Sequence, residues 1–199
     1  MDTQSTNGSS WSDQFKSFMG WFAVISGVLA VSVEVFLHRS RTFGERYIGI
    51  NAALVLIAVP FYTLFWDGYD VMPLMLFLVA FMFMCFMART GVLVRLRQGG
   101  PQEHTRYTGY PRILRLLPKL GERTVKLIVE PMAVFLTGVF TMSFSEPLGG
   151  YLMVASVGLL ASVHLSVGYD RNRSLDMHDA SIDQRHVAEG FRELRGDRR

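Results

Sequence analysis

One cysteine, Cys85, stands in the whole chain. It rules out an intrachain disulfide and any zinc site built on cysteines, and inside an apolar run it reads as a small hydrophobe. Catalytic signatures are missing too: there is no GxxxxGK[ST] loop, GxSxG elbow, HExxH pair or GxGxxG fingerprint. Glu103, His104, Arg106 and Arg112 share one polar stretch, but their spacing gathers no acid, base and nucleophile. The chain is therefore read as non-catalytic and without a cofactor or resident metal. No cleavable leader is expected either, because MDTQSTNGSSWSDQFKS is polar and carries Asp2 and Asp13 where a basic front end belongs. The net charge is +3 and the pI near 9.2. No nucleic-acid-reading motif accompanies that excess, so no nucleic-acid partner is expected.

What the chain has is apolar length. Half of it is hydrophobic, with fifteen Phe and eleven Met, and these residues come in blocks such as VMPLMLFLVAFMFMCFMA rather than in amphipathic stripes. Five stretches, 18–37, 47–66, 71–88, 127–145 and 148–168, each approach the ~20 residues that cross a bilayer core. The expected fold is all-α: a polytopic helical bundle from 18 to 168, a short polar tail at 1–17, a loop at 89–126 and a helical tail at 169–199. The fourth stretch is the weakest, since Pro131 suits a helix start and leaves it short. With the N-terminus outside, nineteen of the twenty Lys and Arg face the cytoplasm and only Lys16 does not. That is the arrangement the positive-inside rule selects, and it predicts an N-out, C-in protein of a bacterial inner membrane.

The connections are unequal. Asp67–Asp70 and Glu146–Gly150 read as tight outer turns, with Trp21, Trp66, Tyr69 and Tyr151 as an interfacial belt. On the inner side the third helix is expected to continue to Gly99-Gly100-Pro101. ILRLLPKL then reads as a short interfacial helix limited by Pro118. In the tail, Met177, Ala180, Gln184, Val187, Phe191 and Leu194 repeat at alternating spacings of three and four, a seam suited to docking.

Four polar residues lie about one turn from the inner ends of the spans: Glu34, Asn51, Glu130 and His164. Polar groups at such positions form either an intramembrane polar layer, with Glu34 and His164 as a proton pair, or structural hydrogen bonds between helices. Ser26-x-x-x-Ala30-x-x-x-Glu34 and Gly158-x-x-x-Ser162-x-x-x-Ser166 are small-residue faces for close packing. The methionines of the third stretch (Met72, Met75, Met82, Met84, Met87) read as packing fillers rather than a copper path. Asp179, Asp183 and His186 read as a solvated helix face.

These features imply a scaffold: a membrane subunit that contacts lipid and docks one or more protein partners, or copies of itself, at the cytoplasmic face. A secretion, conjugation or membrane-defence assembly fits. The alternative is a small oligomeric channel or proton-coupled transporter using Glu34 and His164. Against it, the outer half of the bundle offers only scattered Thr and Ser, such as Thr63, Thr141 and Ser143, to line a conduit.

Overall fold

The computed structural model describes residues 7–40, 42–44, 49–99, 108–115 and 119–196. Every regular element among them is helical: α1 (Asn7–Leu37), α2 (Gly49–Thr63), α3 (Met72–Arg97), a 3-10 turn (Arg112–Arg115), α4 (Glu122–Thr124), a π turn (Val125–Val129), α5 (Glu130–Met142) and α6 (Glu146–Leu194). The contacts divide the chain into a unit of residues 1–163 and a second of residues 164–199.

Four helical stretches are long and apolar enough to cross a membrane: Asp13–Leu37, Met72–Arg97, Glu122–Met142 and the stretch that begins at Glu146. Their surfaces suit lipid. Leu76, Val79, Phe83 and Phe86 on α3 and Leu136 and Phe140 on α5 are each 58–68% exposed, far more apolar surface than a water-soluble domain tolerates. The core is built around α1. Its residues 30–35 are all buried, and a helix packed on every side is expected to be apolar all round; Ala30, Val31, Val33 and Val35 fit this, while Ser32 and Glu34 are buried polar exceptions. Val55 and Val59 of α2, Leu74 and Phe81 of α3, Val134 of α5, and Leu152, Ala155 and Leu159 of α6 complete this core.

Several boundaries differ from the sequence expectation. The first helix begins at Asn7, not Phe18, because hydropathy marks the edge of an apolar block and not the edge of a helix. The apolar helix that falls short of the four spanning stretches is α2, with 15 residues and Pro60 inside it. Beyond Thr63 the chain tightens into i→i+3 bonds from Leu64, Phe65 and Trp66 to the carbonyls of Phe61, Tyr62 and Thr63, a common helix ending. The fourth stretch is instead longer than its proline suggested, running helical from Glu122. Pro131 has no N–H to give residue 127, and its ring crowds that carbonyl in an α-helix. The π turn at Val125–Val129 lies where that conflict falls and widens the helix there.

The turn before α6 is Ser143–Ser145, and Glu146–Gly150 is already helix. Gly149 is what allows this: a Cβ there would stand 2.6 Å from the Met142 amide nitrogen and 2.7 Å from its Cα. The expected interfacial helix at ILRLLPKL is a single 3-10 turn over Arg112–Arg115; 116–118 lie outside the described residues. α3 ends as the sequence suggests, at Arg97, with Gly99 at φ +66°. Of the aromatic belt, Trp21 and Tyr69 stay at the surface, 68% and 52% exposed, whereas Tyr151 is 2% exposed and belongs to the core. Its ring packs against Tyr62 and Phe77 at 5.6 and 5.7 Å.

Candidate functional site, a buried histidine between two carboxylates

Two ionisable side chains, His38 and Glu130, meet where α1 ends, and a third, Glu34, lies close enough to act on His38 through its charge. Glu34 is 1% exposed, and His38 and Glu130 are fully buried. His38 follows Glu34 by one helical turn, and its amide still donates to the Glu34 carbonyl at 2.9 Å. Glu130 arrives from the first residue of α5, directly after the π turn, a distortion that often re-aims a side chain at functional sites. His38 Nε2 lies 2.9 and 3.0 Å from the two Glu130 carboxylate oxygens. On the other side of the ring, Nδ1 donates to the Thr108 carbonyl at 2.7 Å.

The backbone around the ring comes from the connection between α3 and α4. The Arg39 amide donates to the Tyr110 carbonyl at 3.1 Å, and the Tyr110 amide donates to Thr42 Oγ1 at 2.8 Å. Arg112 Nε donates to the His38 carbonyl at 3.0 Å, which satisfies an acceptor that α1 leaves open at its end and puts a cation where the helix dipole favours one. His38 and Pro111 form an isolated antiparallel bridge. Gly109 has φ +96°, and a Cβ on it would sit 3.2 Å from His38 Cβ and 3.3 Å from the Phe43 ring, so only glycine suits that turn. Phe43 closes the cluster, its ring centroid 6.0 Å from that of His38, and Arg95 Nη2 donates to the Phe43 carbonyl at 3.3 Å.

The geometry constrains the proton count. A neutral imidazole carries one N–H, yet both ring nitrogens here face oxygen. The carbonyl of Thr108 can only accept, and so can an ionised Glu130. The pair therefore holds one proton beyond neutral histidine plus carboxylate, as imidazolium–carboxylate or as a carboxylic acid donating to Nε2. Burial pushes the His38 imidazole down most strongly. The hydrogen bond to Glu130 and the charges of Glu34 and Glu130 push it up and together prevail over burial and the opposing Lys126, so its pKa is raised above the ordinary value.

The expected polar layer is only partly gathered. Glu34 and Glu130 come together around His38. Asn51 is half-buried, and its amide nitrogen lies 3.6 Å from where a Cβ on Gly27 would stand, two helical turns from Glu34. His164 is exposed on α6, so the structure does not set it in a buried polar pair; the buried histidine partner of a carboxylate is His38. His38 opens the basic stretch His38–Arg46, where charge alone gives no reason to single it out. The signal that marks it is local: Glu34 and His38 stand at i and i+4, which puts them on one helix face. Thr108 to Arg112, read as connector, supplies the other half of the site.

In the second unit, Met177, Val187 and Phe191 are 60%, 58% and 68% exposed. Leu194 ends α6, and its side chain lies outside the described residues. Among the described residues no three His, Cys, Asp or Glu stand together as metal ligands. A groove of about 240 Å³ lined by Phe22, Ser26, Leu29, Val154 and Gly158 has no ionisable group and is separate from the cluster. No protein-family profile, no curated protein and no solved structure matches the chain.

Proposed function

We propose that this protein is a non-catalytic integral membrane subunit that docks a larger assembly from the cytoplasmic side. In this reading five helices cross a bacterial inner membrane, N-terminus out and C-terminus in, so that the connection at 89–126 and the tail lie in the cytoplasm. One observation carries the reading. The second unit is a charged helix that nonetheless exposes Met177, Val187 and Phe191, each by more than half, at seam spacings suited to a protein partner or a further copy of the chain. Burying Phe191 against such a partner contributes about 2 kcal/mol. Phe191→Asp should therefore reduce co-purification of the partner from mild detergent more than tenfold at equal membrane levels, and truncation after Asp170 should abolish it. Equal recovery by all three proteins would remove the tail from the docking surface.

The buried cluster favours a second reading, a proton-coupled transporter or channel, with His38 in the place first given to His164. Glu34→Gln discriminates: a protein that assembles normally but is inactive would support the transporter over the scaffold.

A further inference from the structure

We propose that His38 and Glu130 together form a proton-binding site, and that the bound proton fastens the segment Thr108–Arg112 to the helices, so that losing it releases the segment. Beyond the isolated bridge at Pro111 and the single 3-10 turn that starts at Arg112, the segment has no regular structure to hold it. Its ties converge on a few residues after Glu34: Thr108 on His38 Nδ1, Tyr110 on Arg39 and Thr42, Arg112 on the His38 carbonyl. Two of these ties are made by His38 itself, and the other two by Arg39 and Thr42 close after it. His38 in turn is held by a contact that needs the extra proton. Without it, a ring nitrogen lone pair faces either the Thr108 carbonyl or the Glu130 carboxylate, with both side chains shut off from water. An unmade polar contact of that kind is what a buried site cannot sustain.

Among the described residues, the charged groups that face the ring are few. Glu34 comes from α1, Glu130 from α5 and Lys126 from the π turn. Arg112 sits on the backbone side at the His38 carbonyl, and Arg95 of α3 reaches the neighbouring Phe43 carbonyl. Two carboxylates against one imidazolium leave the inner group one charge negative, which favours keeping the proton, while Lys126 opposes it. Because the His38 pKa is raised on folding, the fastening is complete below the ordinary imidazole value of ~6.5 and is lost as pH rises through the raised one. The inference stands whether or not the tail docks a partner.

The test is amide hydrogen exchange of the full chain in detergent micelles, read at the Arg39 and Tyr110 amides from pH 6 to 9 and corrected for the intrinsic rate. Wild type should lose at least tenfold protection in a single step above pH 6.5. Glu130→Gln replaces the proton by an amide N–H that donates to Nε2 of a neutral ring, so its protection should persist to pH 9. Wild-type protection that does not change with pH overturns the proposal, as does a Glu130→Gln protein that opens at the wild-type pH. Should Glu130→Gln fail to fold, Glu34→Gln decides. Removing that negative charge must lower the wild-type midpoint, and a midpoint that stays or rises overturns the proposal.

Discussion

Glu130→Ala measures what the buried pair contributes to stability. The substitution strips His38 Nε2 of its partners at 2.9 and 3.0 Å, where neither side chain is exposed. A ring that kept its proton would lose its hydrogen-bonded counter-charge and keep only the charge of Glu34 nearby, at a cost of up to about 3–5 kcal/mol. The ring has a cheaper route. Burial is the largest influence on His38 and opposes the charge, so without Glu130 the proton leaves. Nδ1–H still donates to Thr108, and Nε2 becomes one unsatisfied acceptor. That sets the loss at about 1–3 kcal/mol. It also has a sign in pH: the wild-type contribution is whole near pH 6 and fades as pH rises through the raised value, so the deficit of the variant is largest at pH 6 and narrows by pH 9. The assay is the midpoint of unfolding by graded SDS in mixed micelles, followed by tryptophan fluorescence at both pH values. Equal midpoints at pH 6 for wild type and Glu130→Ala would refute the reasoning, because a buried pair cannot be removed without effect.

Gly149→Val should cost about 1–3 kcal/mol by overpacking, because its Cβ would meet the Met142 backbone at 2.6–2.7 Å; the same SDS titration reads it, and Gly149→Ala should fall in the same direction by less. For topology, cysteines at the exposed positions Asp67 and Phe144, in a Cys85→Ala background, should label with an impermeant thiol reagent from outside intact cells. Cysteines at Gln98 and Glu189 should label only after permeabilisation, and external labelling of Glu189→Cys would place the tail outside and end the cytoplasmic-docking reading.

The helices were legible because their signal is one-dimensional. A block such as Leu74–Ala88 needs no partner to be recognised, since an apolar run must leave water wherever it goes. What was not legible depends on local backbone detail. The fourth stretch looked short because Pro131 reads as a helix start; a π turn let the helix begin at Glu122 instead, and a proline alone does not tell whether a helix starts at it or widens ahead of it. Glu146–Gly150 read as a turn from its Pro and Gly, yet those residues begin α6. The proline sits in the first turn, where its missing N–H is harmless, and the glycine serves the close approach to Met142. One composition thus has two physical uses, and only the packing tells them apart.

The candidate site divides in the same way. Glu34 and Glu130 stood out in the sequence because a carboxylate in an apolar span is costly wherever it is placed. The histidine beside Glu130 is His38, which its sequence position did not single out. Depth along the spans pointed to His164, by assuming that residues at like distance from the helix ends meet. His38 was passed over because it lies just past the apolar block, among Arg39 and Arg41, where a charged turn needs no explanation. Yet it is the connection between α3 and α4, far away in sequence, that returns to cover it: Gly109 makes the turn, Thr108 accepts from the ring and Arg112 caps the carbonyl. A basic turn at the end of a span is solvated only if nothing folds back over it. Here the same segment that hides His38 from water is the one its proton holds, so burial of the ring and order in the segment are a single equilibrium.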